Sequence, residues 1–342
     1  MRFRGTYREI GAAHGRALGP ELRATIDAYL GGLASRGVLD VERLHAGALG
    51  WLETLPDFYR EEMEGMAEGS GVPLEDITRF NYAELCLNGC SGAVCMVDGK
   101  AWVARNNDAD PFEGLWGDVV IRDVVDRIPT LAIGLKGDVF IATGINRERL
   151  WIHHNYLEAH EGSTADMTAL PSWALVRQAL ETCTSVDQVE ELLDRWVRLD
   201  GMNLFVVDGK TQEAVVFECS RASHVRRTLS DGNLIATNHY VARGDIDQTQ
   251  LYLGSSRPRY ERILELLQDP VRSTPDDLIA VLADPEVEQN RQGRATVYSA
   301  VACPATGRLW WACGAIPSAS RGSWNVIEWP WEVPQQAREA SA

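Results

Sequence analysis

Cys90 lies between Gly89 and Ser91, and the run Arg105-Asn106-Asn107-Asp108 follows it in the sequence. Between them stand two alternating segments, GAVCMV and AWVAR, on either side of Asp98-Gly99. An Asp-Gly pair between alternating strands favours a two-residue type I′ turn. With Val97 opposite Lys100, that turn sets Cys90 opposite Asn107. Arg105 then falls on the same face, diagonally, about 7–8 Å away between Cα atoms. A three-residue loop would place Asp108 opposite Cys90 instead. Either register brings a thiol beside the RNND cluster. A cation on the thiol's own face favours the thiolate, which is the nucleophilic form.

A nucleophile also needs a base. No histidine lies close in sequence, and His153 and His154 are adjacent on an expected strand, so they point to opposite faces. One other base is available: the α-amino group of the cysteine itself, if the chain is cut before it. Its free pKa of about 7.7–8 suits proton transfer near neutrality. Asp108 would orient that amine through a charge-assisted hydrogen bond. Each residue also has a bland reading on its own. Cys90 could be a core thiol, Arg105 with Asp108 a surface ion pair, and an asparagine a turn residue.

Other site types fit less well. GCSGA approaches a G-x-S-x-G elbow around Ser91, but the closing position is Ala93, and an α/β-hydrolase needs parallel strands. NNDADPFEG has the acidic spacing of a calcium loop, yet Pro111 stands where glycine is required and no glutamate closes the loop. The His153-His154 pair lacks a partner at metal-ligand spacing. No cofactor and no metal are expected, since no glycine-rich phosphate loop or ligand set is present. The five tryptophans from Trp310 to Trp331 read as core or interface.

The elements that must hold this cluster change in texture along the chain. Residues 1 to about 86 read as helical, with GPELRATIDAYLGGL, PDFYREEMEGMAEGSGVP and PLEDITRFNYAELCL carrying helical apolar spacing. After Cys90 come period-two strands and short turns: the hairpin already described, DVVIRDVVDRIPTLAIGL, DVFIATGINRERLWIHHN, NLFVVDGKTQEAVVFE and TVYSAVACPATGRLWWACG. Helical stretches interrupt them at 170–196 and 257–284. Hairpin-joined strands make antiparallel sheets, and helices in blocks around them suggest layers over two sheets. No linker-like or low-complexity run divides the chain, so one domain over 1–342 is expected.

The 342 residues carry a net charge of −16, which argues against nucleic acid and anionic lipid as partners. No segment reaches the ~18 consecutive apolar residues of a membrane span, and MRFRGTYREIGAAHG lacks the apolar core of a secretory signal. A cytoplasmic location is the default. The seven cysteines form no C-x-x-C pair and read mostly as small, reduced core residues.

Taken in order, the motifs resemble those of the autoproteolytic N-terminal-nucleophile (Ntn) hydrolases of the penicillin acyltransferase type, relatives of bile-salt hydrolase and acid ceramidase. The shared features are MEGMAEGSGVPLEDI, Gly-Cys-Ser at 89–91, RNND, GINRERLWIHHN at 144–155, ATNHY at 236–240 and SSRPRYER at 255–262. The resemblance runs from about Tyr7 to Trp331. It implies an α+β fold, a four-layer αββα sandwich of two antiparallel sheets. It also implies self-cleavage between Gly89 and Cys90 into 1–89 and 90–342, with the two fragments staying associated. Cys90 is then the nucleophile, flanked by Arg105 and Asp108. Asn155 and Asn238 match positions that supply oxyanion donors or hold the amine, and Arg257 matches an arginine that orders the cluster. The implied substrate is a small-molecule amide or acyl thioester. A homo-oligomer is left open. One departure is Arg149, standing where relatives usually carry glycine, at a turn whose shape depends on that position. The competing expectation is an uncut, non-catalytic binding protein of the same fold.

Overall fold

The computed structural model describes residues 1–35, 41–83, 89–110, 117–157, 171–229, 232–246, 248, 254–271, 273–291 and 293–331. Cys86, the end of the third expected helix and the second half of NNDADPFEG lie outside the described residues.

The N-terminal helices are α1 (Tyr7–Leu18), α2 (Pro20–Ser35), α3 (Val41–Thr54), α4 (Asp57–Ser70) and α5 (Leu74–Ala83). Thr6 and Glu9 close a capping box on α1, satisfying donors that the first turn would otherwise leave free. Helix α4 stops at Gly71, whose φ of 73° suits a residue without a Cβ. Helices α1 and α4 pack backbone to backbone. A Cβ added at Gly11 would come within 2.0 Å of the Glu62 carbonyl oxygen, and one at Gly65 within 2.1 Å of the Arg8 carbonyl oxygen. Only glycine permits that approach.

The first sheet has the order β1 (Arg2–Gly5), β4 (Gly117–Val124), β5 (Thr130–Leu135), β6 (Thr143–Asn146), β7 (Leu150–Leu157), β8 (Gly201–Asp208), β9 (Ala214–Cys219), β10 (His224–Thr228). The second runs β11 (Leu234–Ala236), β2 (Gly89–Val97), β3 (Lys100–Ala109), β13 (Arg294–Cys303), β14 (Arg308–Cys313), β15 (Ser323–Ile327), with β12 (Asn290–Arg291) also pairing β13. Among the described residues only β1 and β4 pair in parallel. RFRG has no alternating apolar pattern, so this edge strand is silent in the sequence.

Three apolar cores separate four layers. Leu175, Val176, Leu180 and Val189, from α6 (Ser172–Thr182) and α7 (Val186–Arg195), cover Ile152, Leu204, Val206 and Phe217 on the outer face of the first sheet. Trp151, Phe205 and Val216 meet Val94, Val103 and Ala300 between the sheets. Ile263, Leu278 and Leu282, from α8 (Ser256–Leu266) and α9 (Asp276–Leu282), cover Ala93, Ala104 and Val301. Full burial of each such aliphatic or aromatic side chain stabilises by about 1.5–3 kcal/mol. The expected αββα sandwich is what the chain adopts. Among the described residues, no helix is long and apolar enough to cross a membrane.

Two expected strand segments differ. Residues 138–142 form no strand, and three of their carbonyls accept from arginine side chains. Arg122 Nη2 donates to Asp138 O at 2.6 Å, Arg105 Nη1 to Ala142 O at 2.5 Å, and Arg177 Nη1 to Val139 O. The connection from Asp208 to Ala214 is longer than the two-residue turn of the Asp98-Gly99 hairpin. Asp208 N donates to Glu213 O, and Gln212 takes a left-handed φ of 65°.

Candidate active site

Strands β2 and β3 join through Asp98 and Gly99, with φ of 49° and 71°, as a type I′ turn requires. The resulting register pairs Val97 with Lys100 and Cys90 with Asn107; the three-residue alternative does not occur. Cys90, Arg105 and Asn107 therefore share the face that looks into the space between the sheets. Arg105 Nη2 donates to Cys90 Sγ at 3.4 Å and to Asn107 Oδ1 at 2.7 Å, while the thiol donates to Asn107 Oδ1 at 3.5 Å. Arg105 and Cys90 are buried. The other contacts of the guanidinium are Ala142 O and the Tyr298 ring, 5.8 Å from its centre, and Nε has no partner. No carboxylate pairs with this cation among the described residues.

Asp108, one residue on, points to the opposite face of β3. Its carboxylate accepts from Thr296 Oγ1 at 2.7 Å and from Arg259 Nη1 at 3.3 Å. It does not reach the Cys90 nitrogen directly. Burial pushes its pKa up, opposed chiefly by Arg259. A β-bulge between Thr296 and Tyr298 makes the arrangement work. In a regular strand those two side chains would share a face. With the bulge, Thr296 reaches outward to Asp108 and Tyr298 turns inward over Arg105.

The Cys90 backbone nitrogen donates to Asn238 Oδ1 at 2.9 Å. Arg259 binds the same oxygen at 2.7 Å and the Cys90 carbonyl at 2.6 Å, tying Cys90, Asn238 and Asp108 together. Asn238 Nδ2 donates to Tyr156 O at 2.8 Å, and its backbone nitrogen to Ser256 Oγ at 2.8 Å. Asn238 thus holds the nitrogen of Cys90. Asn155 is buried on β7 and donates to Ala236 O at 2.9 Å; its Oδ1 has no partner, and it makes no hydrogen bond to Cys90.

Arg257 is not the arginine of the cluster. It is exposed on α8, whereas Ser256, Arg259 and Ile263 form that helix's buried stripe. The i, i+3, i+7 spacing of those three was the available signal for Arg259. Thr296 carried no such signal, since its contact depends on the bulge.

Neither His153 nor His154 hydrogen-bonds to Cys90. His153 stacks on Phe205 at 4.3 Å between the sheets, and His154 sits 5.6 Å from Trp173 on the other face. Burial holds both neutral, His153 well below the ordinary value and His154 at about 3. Burial also pushes the thiols of Cys95 and Cys219 up to about 12. At Arg149 the turn keeps the left-handed shape, with φ of 63°. The guanidinium donates to Ala305 O at 2.8 Å and lies 4.6 Å over the Trp329 ring.

No curated protein matches the chain. Among solved structures, it is similar to the Caenorhabditis elegans ortholog of N-acylethanolamine-hydrolyzing acid amidase. That match has 16% identity and a TM-score of 0.49, over 63% of this chain and 93% of that one. A variant of conjugated bile acid hydrolase from Clostridium perfringens matches at 14% identity and a TM-score of 0.47, over 72% and 99% of the two chains. Penicillin V acylase from Agrobacterium tumefaciens matches at 13% and 0.47, over 70% and 86%. Likenesses this distant leave the chemistry to the residues themselves. The sequence supplies the firmer link. Residues 95–315, well over half of the 342, match the family described as acyl-coenzyme A:6-aminopenicillanic acid acyl-transferase, and the chain belongs to that family.

Proposed function

We propose that the chain is a self-processing cysteine amidohydrolase or acyltransferase acting on a C–N amide of a small molecule. In maturation, Cys90 Sγ adds to the Gly89 carbonyl carbon and the Gly89–Cys90 C–N bond breaks. The departing nitrogen takes the thiol proton and becomes the α-amine of Cys90. Water then cleaves the Gly89 thioester, leaving a carboxylate on Gly89 and a free thiol on Cys90.

In turnover the α-amine accepts the thiol proton as Sγ adds to the substrate carbonyl, and passes it to the leaving amine. The acyl group stays on Sγ until water, or an acceptor amine, removes it. Asn238 Oδ1 holds the nitrogen, Arg259 holds Asn238 Oδ1 and the Cys90 carbonyl, and Asp108 fixes Arg259. The amide hydrogens of Asn155 and Asn238 not already engaged are the proposed oxyanion donors. Arg257 has no part in this scheme. Hydrolysis is slightly favoured over transfer, because no sequence feature marks a coenzyme A pocket.

The observation that supports this reading is Arg105, a buried cation that has no carboxylate partner among the described residues and donates to the Cys90 sulfur 3.4 Å away. Burying an unpaired charge is costly, and a thiolate on Cys90 supplies the missing negative charge. The test is intact-mass analysis after incubation with a panel of acyl amides and acyl thioesters. An acyl increment on the fragment beginning at Cys90 is expected. An increment on Ser91 or another cysteine, with Cys90 untouched, would overturn the assignment.

A further inference from the structure

The segment that carries Asn238 is bound along its length to a buried polar row on the first sheet. Asn155, Asn203 and Glu218 are in register across β7, β8 and β9, so their side chains share the face that looks toward Cys90's sheet. All three are fully buried. Asn155 Nδ2 donates to Ala236 O at 2.9 Å. Asn203 Nδ2 donates to Thr237 O at 3.2 Å and to His239 O at 3.1 Å, bracketing Asn238 on both sides. The Glu218 carboxylate accepts from Val241 N at 3.0 Å and Ala242 N at 2.8 Å. Arg227 on β10 completes the row, donating to Glu218 at 3.0 Å and to Ile235 O at 2.9 Å.

A buried amide and a buried carboxylate are costly in an apolar core, which would be better filled by valine or phenylalanine. Their hydrogen bonds here go to a segment of irregular backbone just past the end of β11, where no ladder fixes the geometry. Asn238 stands in the middle of that segment and accepts the Cys90 N–H at 2.9 Å.

We infer that Asn203 and Glu218 are positioning residues for the Cys90 nitrogen, acting through Asn238. They touch neither thiol nor substrate. They set where Asn238 Oδ1 stands when the Gly89–Cys90 bond breaks, and later where the amine of Cys90 is held. The inference rests on the proposed self-cleavage, so wild-type cleavage is the reference in its test.

The variants are Asn203→Asp, which keeps the shape but replaces two donors by acceptors, Glu218→Ala, and Glu218→Gln, which keeps one acceptor for Ala242 N. The structural control is Asn146→Asp. Asn146 is equally buried and also donates to two carbonyls, Leu180 O at 2.9 Å and Cys183 O at 2.8 Å, on the helix side of the sheet. Cleavage rate is read by intact mass and melting temperature in parallel.

Asn203→Asp and Glu218→Ala are expected to slow cleavage about 10-fold or more, as loss of a buried hydrogen bond implies. Glu218→Gln should return to within about threefold of wild type. Asn146→Asp should lower the melting temperature as much as Asn203→Asp while cleaving at the wild-type rate. If Asn203→Asp does not fold, the Glu218 pair carries the same test. A wild type that cleaves beside row variants that cleave equally fast overturns the inference alone. A wild type that stays whole overturns both it and the proposed function.

Discussion

The molecule buries arginines in two places and treats them differently. Where helices α1, α4 and α6 meet the first sheet, Arg122 and Arg177 are buried with Glu62 and Glu181. Arg122 pairs with Glu62 at 3.1 Å, and Arg177 with Glu62 at 2.5 Å and Glu181 at 2.8 Å. Two cations face two anions, and Tyr7 adds a hydroxyl to Glu181 at 2.7 Å. The cluster neutralises itself. Between the sheets, Arg105 is just as buried, but its partners are a carbonyl, an amide oxygen, a ring and the sulfur of Cys90. A balanced cluster holds elements together. An unbalanced one leaves a buried cation beside the Cys90 sulfur.

Removing one arginine from each place breaks the comparison most sharply. Arg105→Met should lower self-cleavage and turnover by about 10²–10³-fold, the size of a lost electrostatic contact in an active site. It should cost less stability than Arg177→Met, because no carboxylate is left behind. Arg177→Met leaves Glu181 without its cation and Glu62 with Arg122 alone, and should destabilise by about 3–5 kcal/mol. Whatever folds should still cleave. Urea titration beside a cleavage time course separates the two. Equal losses of stability and rate in both variants would erase the distinction.

Protonation sharpens it more gently, because two buried histidines are held at about 3, His14 beside the balanced cluster and His154 on the helix-facing side of the first sheet. Burial is the main cause for both, and neighbouring arginines add to it. Unfolded, each would titrate near 6.5. Between those values the unfolded chain binds protons that the fold excludes, so stability falls as pH drops below about 6.5. His14 has no hydrogen-bond partner for either ring nitrogen. His14→Leu should therefore flatten that fall by up to about 1.4 kcal/mol per pH unit. Chemical denaturation at pH 4, 5 and 6 checks it. An unchanged slope would mean His14 is charged in the fold.

The smallest effect belongs to a third arginine, Arg149, half-buried and strained rather than unpaired. Its left-handed φ costs roughly 1 kcal/mol for a residue other than glycine, offset by its carbonyl bonds and its stacking on Trp329. Arg149→Ala keeps the strain and loses the contacts. Arg149→Gly loses both, and should be the more stable of the two by about 1 kcal/mol. The reverse order would show that strain is not what the contacts offset.

What the sequence made legible was local. Asp98-Gly99 fixes its turn, the turn fixes the register, and the register puts Cys90, Arg105 and Asn107 on one face. Hairpin texture and helix blocks announced the layers. Contacts made over long separations were not readable. Thr296 reaches Asp108 because of a bulge, and Asn203 and Glu218 reach the Asn238 segment only once two sheets are stacked. Arg257 and Arg259 differ by two positions on one helix, and the choice depends on which stripe that helix buries. The absent strand at 138–142 was not readable either, where the carbonyls of Asp138, Val139 and Ala142 accept from arginines distant in sequence.

The most direct test is the mass of the purified protein, followed over time beside Cys90→Ala. Wild type should resolve into fragments 1–89 and 90–342, the second with a free cysteine at its N-terminus, while Cys90→Ala stays whole. A wild-type chain that remains intact, or one cut at a different bond, would contradict the assignment of Cys90 as an N-terminal nucleophile.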